Sequence, residues 1–283
     1  MTPRRLAFAA RDGLRLSALE WPGANGRAPV LMLPGICRTA LDAGAIAARL
    51  DGRRRVVALD YAGHGESARA EDARRYRPEA LIRDVMDAMA ALHLHGVALI
   101  GTSFGGLVAM AIGAMRPASL AAVALNDIGP RIEHVGREKV VDFIGRDHAF
   151  ASSEEALTWF RANHPPMPLM DEAGWRDFVA RTYAEGPDGR WHPRWDIRIG
   201  QHAVGAAAGA PPDLWPFFGG LGRLPLMLVW GEASTLLSAD TVEEMRRARP
   251  DMEVVTVPGT GHAPTLAEPN VAAALDAFLE AVP

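Results

Sequence analysis

Cysteine is nearly absent from this chain: Cys37 is the only one in 283 residues. A lone thiol cannot close an intramolecular disulfide, and no Cys/His cluster has structural-zinc spacing, so neither kind of staple is expected. That usage suits a reducing cytoplasm. Charge of one sign is equally scarce. Thirty Lys and Arg stand against thirty-four Asp and Glu, a formal net charge of -4, which gives no overall attraction to nucleic acid or to an acidic membrane. Long apolar runs are missing too: no stretch of about eighteen residues passes without a charge or a turn breaker, which argues against a membrane span. At the start only Leu6 to Ala10 separate Arg5 from Arg11, too little for a secretory apolar region, so no signal peptide is expected. Repeats and low-complexity tracts are absent. What remains is ordinary globular composition, 49% hydrophobic and 23% charged, long enough for a large core, and a cytoplasmic location is expected.

Short apolar runs suited to buried strands recur at Val30 to Leu33, Val56 to Leu59, Val97 to Ile100, Ala121 to Leu125, Leu226 to Trp230 and Val254 to Val257. Their alternation is weak, as strands buried on both faces require. Helical patterns lie between them. The clearest runs from Pro78 to His95, with Leu81, Ile82, Val85, Met86, Met89 and Leu92 on one face, Pro78 in the first turn and Gly96 as the stop. Others are expected at about Phe104 to Met115, Ser238 to Arg249 and Pro269 to Ala281. Strand and helix in alternation predict a mostly parallel α/β sheet.

The rhythm breaks between Pro130 and Pro216. Strand-like runs vanish there, and amphipathic pieces carrying Trp159, Phe160, Trp175 and Phe178 lie between Pro- and Gly-rich joints. The expectation is a helical cap over residues 130–216, inserted into a core made of 1–129 and 217–283. Trp159, Trp175, Trp191, Trp195 and Trp215 all fall in the insert. They serve either core packing or an apolar substrate cavity under the cap, for which Trp159 and Trp215 are the candidates.

The strand Val97 to Ile100 runs into Gly101-Thr102-Ser103-Phe104-Gly105-Gly106 and then into a helix. That is a G-x-S-x-G pattern in a strand–turn–helix setting, where a tight turn strains Ser103 and projects its Oγ above the sheet edge. Small residues at 101 and 105 let strand and helix approach closely.

Together with Leu33-Pro34-Gly35-Ile36, Asp60-Tyr61-Ala62-Gly63-His64-Gly65-Glu66-Ser67 and Gly261-His262, in that order, this segment resembles the α/β-hydrolase superfamily over nearly the whole chain. The resemblance implies the α/β-hydrolase fold, with Ser103 as nucleophile and His262, after the last strand, as its base. It implies oxyanion donors at the backbone N–H groups of Ile36 and Phe104. His64 reads as structural, His93 and His95 end a helix, and His134, His148, His164 and His192 belong to the insert. Cys37 reads as a small buried side chain. Arg38, beside the oxyanion loop, either binds a substrate carboxylate or pairs with Asp42.

The family's acid usually follows the seventh strand in a Gly-x-x-Ser-Asp type segment. This chain has Gly231-Glu232-Ala233-Ser234-Thr235, with threonine where aspartate is expected. A hydroxyl can accept from imidazole but supplies no charge to stabilise imidazolium. Asp127, at the end of the sixth strand, is the alternative acid, since some members of the superfamily use that position; it could instead orient the entry to the cap. The resemblance implies a serine hydrolase of a carboxylic ester, thioester or lactone with an apolar or aromatic part, needing no cofactor and no metal. Carbon–carbon bond hydrolysis of a ketonic ring-cleavage product and ligand binding on a disabled scaffold remain open beside it. Dehalogenase and epoxide hydrolase chemistry is disfavoured, because those resembling enzymes need an aspartate where Ser103 stands.

Overall fold

In a computed structural model, which describes residues 2–201 and 213–283, eight strands form one sheet in the order β1-β2-β4-β3-β5-β6-β9-β10. These are β1 Arg4–Ala9, β2 Arg15–Trp21, β3 Val30–Leu33, β4 Val56–Asp60, β5 Val97–Thr102, β6 Leu120–Asn126, β9 Leu226–Gly231 and β10 Glu253–Val257, and the insert contributes β7 Tyr183–Glu185 and β8 Trp191–Pro193. Within the large sheet the pairings β4–β3, β3–β5, β5–β6, β6–β9 and β9–β10 are parallel; β1 with β2 and β2 with β4 are antiparallel. Strands β3 and β4 are buried at every position, which is why their sequences read as unbroken apolar runs.

Two apolar cores flank the sheet. On one face the helices Pro78–Ala91 and Phe104–Met115 pack through Leu81, Val85, Val108 and Ile112, and the insert joins this side through Phe160 and Trp195. On the other face Ile46 and Leu50 of the helix Gly44–Leu50 meet Leu275 and Leu279 of the helix Pro269–Ala281. The helix from Pro78 stops at Ala91, short of His95, because His93 and Gly96 both turn to positive φ. Among the described residues, no helix is long and apolar enough to cross a membrane.

Register brings the loops of the site together. Leu33 pairs with Gly101, Thr102 with Asn126, and Asn126 with Val229, so the chain leaves β3, β5, β6 and β9 at one sheet edge with Gly35, Ser103 and Asp127 side by side. The Asp60 to Ser67 loop braces this edge. Asp60 accepts from the backbone N–H groups of Ala40 at 2.8 Å and Glu66 at 3.2 Å, while Ser67 Oγ donates to the Asp60 carbonyl at 2.7 Å. Gly65 has φ 51°, and a Cβ there would lie 2.4 Å from the Asp60 carboxyl, so only glycine fits.

Between β6 and β9 the described residues add no strand to the large sheet. They form helices His134–Ile144, Ser153–Asn163 and Glu172–Thr182, but also the antiparallel pair β7 and β8, which an all-helical insert does not contain. Part of the expected insert, 202–212, lies outside the described residues. The insert is fastened to the core by backbone bonds of 2.7 Å from Gly65 to Arg194 and from Asp196 to Gly63. His192 ties the β8 strand to two acids, with Nδ1 2.7 Å from Asp147 and Nε2 3.0 Å from Asp188.

Two stability experiments follow from this packing. A Cβ on Gly105 would sit 2.1 Å from the Leu33 carbonyl oxygen, whereas one on Gly44 would meet nothing within 4 Å. Gly105→Ala should lower unfolding free energy in urea by about 3 kcal/mol, while Gly44→Ala, at a helical position with φ -56°, should leave it unchanged or raise it by up to about 1 kcal/mol. Hydrogen bonds to Asp147 and Asp188 raise the His192 pKa. The group's contribution is therefore complete below its unfolded pKa of about 6.5 and fades as pH rises through the higher folded value. His192→Ala should lower the melting temperature at pH 6 and have little effect at pH 9.

Candidate active site

Ser103 sits between β5 and the helix Phe104–Met115 with φ 51° and ψ -114°. A side-chain-bearing residue in this region is strained by about 1–3 kcal/mol. The surrounding backbone holds it there: Ser103 N–H donates to the Asn126 carbonyl at 2.9 Å, and Gly106 N–H donates to the Ser103 carbonyl at 2.8 Å. A Cβ on Gly101 would come within 2.5 Å of the Gly105 backbone, so the turn closes only with glycine at both positions.

His262 reaches Ser103 from the loop after β10, its Nε2 2.8 Å from Ser103 Oγ. Its Nδ1 lies 2.7 Å from Asp127 Oδ2. Because Nδ1 faces a carboxylate it carries the proton, which leaves Nε2 free to accept the Ser103 hydroxyl. The loop is held from several sides. Gly261 N–H donates to the Pro166 carbonyl of the insert at 2.7 Å, Gly259 N–H to Glu232 at 3.0 Å, and Asn126 Nδ2 to the Pro264 carbonyl at 2.8 Å.

Asp127 is fully buried and also has positive φ, 54°. Its second oxygen accepts from Gly231 N–H at 3.0 Å, so both carboxylate oxygens have a donor. Thr235 is exposed. Among the described residues the acid that reaches His262 is Asp127; Glu232 is spent on Gly259, and Asp240 begins the helix Ala239–Ala248.

The amide of Phe104 opens its helix and belongs to the first turn, which has no acceptor within the helix. Ile36 lines the cavity beside Ser103. Its carbonyl is engaged by His64 Nε2, and Tyr61 Oη donates to the Pro34 carbonyl at 3.0 Å, so Tyr61 and His64 of the loop after β4 hold the strand β3 exit in place. His64 is buried and its pKa is pushed down by burial. Burial pushes the Cys37 thiol up to about 11, which keeps it protonated and a poor nucleophile or metal ligand. His164 is pushed down to about 4 by burial among Phe160, Trp175 and Phe178.

Arg38 is bidentate to Asp42, at 2.8 and 2.6 Å, lies 4.1 Å above the Phe178 ring and donates to Thr182. Of the two readings of Arg38, the pair with Asp42 is the one present; the residue also lines the cavity of about 110 Å³ that contains Ser103 and His262. Trp159 and Trp215 are placed elsewhere. Trp159 stacks on Phe143 with ring centroids 6.0 Å apart and meets His148 at a tilt with centroids 4.3 Å apart, and Trp215 packs edge-on against Phe218 at 5.7 Å. Neither lines the Ser103 cavity or its larger neighbour; aromatic rings gain more from one another in the insert's core. The cavity's aromatic wall is Phe178, and Arg181 on the same helix also lines it. The sequence shows Phe178 only as part of an amphipathic pattern and does not mark Arg181, because an insert helix gives no motif. Among the described residues no group of three or more His, Cys, Asp or Glu side chains could hold a metal ion.

A family model for the alpha/beta hydrolase fold matches residues 28–269. The crystal structure of an alpha/beta hydrolase from Novosphingobium aromaticivorans is 35% identical, with a TM-score of 0.93 over 99% of each chain. A 3-hydroxybutyrate-oligomer hydrolase of Cupriavidus necator is 28% identical over 262 residues, 90% of this chain and 89% of the relative. An esterase of Mycobacterium tuberculosis is 28% identical over 253 residues, 87% of this chain and 80% of the relative. The chain is a hydrolase and belongs to the alpha/beta hydrolase family.

Proposed function

We propose that this protein hydrolyses a carboxylic ester through an acyl-enzyme on Ser103. The observation that carries the reading is the unbroken chain of hydrogen bonds from Ser103 Oγ to His262 to Asp127. In the first half-reaction Ser103 Oγ attacks the ester carbonyl carbon while its proton passes to His262 Nε2. The carbonyl oxygen takes the negative charge, and the Ile36 and Phe104 N–H groups are its proposed donors. Collapse of the adduct breaks the bond to the alcohol, which leaves with the proton from His262. Water then repeats the sequence in the second half and frees the acid. Asp127 holds the imidazole in the productive tautomer and stabilises its charged form, in place of an acid at Thr235.

The described part of 130–216 forms the cap in this reading, with Phe178 and Arg181 reaching the cavity from its helix Glu172–Thr182. Two of the relatives support an ester over a ketonic substrate, one named for oligomers of a hydroxy acid and the other as an esterase. The apolar or aromatic part expected of the substrate would meet Phe178 rather than Trp159 or Trp215.

Two outcomes are expected. A fluorophosphonate should label the wild-type protein stoichiometrically at Ser103, detected by peptide mass, with no adduct in Ser103→Ala. With nitrophenyl esters, Asp127→Asn should lower kcat by about 10⁴, while Thr235→Asp leaves turnover at the wild-type level or higher. An active Asp127→Asn would remove Asp127 from the mechanism, and Ser103-independent hydrolysis would remove the acyl-enzyme.

A further inference from the structure

We propose that Arg181 is a carboxylate-binding residue and that the substrate is an anionic ester, a deepening that rests on the reading of Ser103 as the nucleophile. Two guanidinium groups line the Ser103 cavity, Arg38 and Arg181, with one carboxylate between them, Asp42. Asp42 is already claimed: both of its oxygens are taken by Arg38, and Arg181 Nη1 lies 3.5 Å away, beyond a good hydrogen bond. Asp127 lies behind His262 and is engaged with it. The side chains lining the cavity thus include two guanidinium groups and one carboxylate, and the second guanidinium is balanced only from outside it.

The other partner of Arg181 is Asp177, one turn back on the same helix, at 2.6 Å. The Asp177 side chain is 62% exposed whereas that of Arg181 is 22% exposed. An ion pair reaching into water contributes little, so exchanging Asp177 for a ligand carboxylate costs little. Inside the half-buried cavity the new pair would be less screened and hydrogen-bonded in the fork geometry that guanidinium offers.

A second cavity fixes where the carboxylate stops. It has a volume of about 260 Å³ and shares Arg181 and Thr265 with the first, and Arg181 is the basic residue in its lining beside Asp171, Asp177 and Glu268. An anion drawn past Arg181 would face three acids. The carboxylate is therefore held at the junction of the two cavities, which favours a short spacing between it and the ester being cleaved.

The test compares kcat/KM, by pH-stat, for monoethyl glutarate and monoethyl suberate against ethyl pentanoate, and for 3-butyryloxybutyrate against sec-butyl butyrate. The first set puts the carboxylate on the acyl side and the second on the alcohol side. Wild-type protein should favour at least one anionic ester over its neutral counterpart by about tenfold, with glutarate above suberate, and Arg181→Gln should erase that ratio. Arg181→Lys, which keeps the charge without the fork, should retain part of it. A wild-type protein that cleaves neutral esters equally well, or a ratio unmoved in Arg181→Gln, overturns the proposal alone. Absence of turnover with all five esters overturns the acyl-enzyme reading, and this proposal with it.

Discussion

The backbone of Ser103, at φ 51° and ψ -114°, is the constraint around which the sheet edge is arranged. A residue held in that region returns to a relaxed conformation unless its neighbours leave no alternative. Here the alternatives are removed by close approach. Gly105 runs so near the Leu33 carbonyl, and Gly101 so near Gly105, that the strand, the turn and the helix form a single packed unit. The hydrogen bond from Ser103 N–H to Asn126 then sets the turn against β6. The same register that lodges the serine delivers the residue just after β6, Asp127, to the place where the imidazole from the loop after β10 can meet both.

The position of the acid follows from charge and burial. A buried carboxylate must be matched by donors, and Asp127 has two, Gly231 N–H and His262. Thr235 is exposed on the loop that follows β9, and that loop's remaining acid, Glu232, serves the His262 loop through Gly259. The segment after β9 thus contributes a backbone donor and a brace, and the negative charge comes from one strand over. Asn126 adds to the arrangement by holding the Pro264 carbonyl beyond the histidine, so two adjacent residues at the end of β6 steady the histidine and the chain that follows it.

Much of the core was legible because buried parallel strands announce themselves. Val30 to Leu33 is apolar throughout and is a strand over the same four residues. The elbow was legible because its glycines are required by backbone contact. Strands β1 and β2 were not, since their sequences carry Arg4, Arg5, Ser17 and Glu20 inside the sheet. Glu20 is buried but answered by Arg4 and Arg55, pairings that only the antiparallel register creates. The insert was the least readable part. Its tryptophans signalled an apolar interior without saying whose, and they pack with Phe143, His148 and Phe218 while Phe178 and Arg181 turn toward Ser103. Which face of an inserted helix meets a cavity depends on docking across long sequence distance, for which periodicity gives no information.

The proposed chemistry requires a covalent intermediate. The most direct measurement is intact and peptide mass after rapid acid quench of the protein mixed with a slowly turned-over ester. An adduct of the acyl mass, confined to the peptide holding Ser103 and formed at the rate of the first alcohol release, is the predicted result. Ester turnover with that peptide unmodified at every quench time would contradict it.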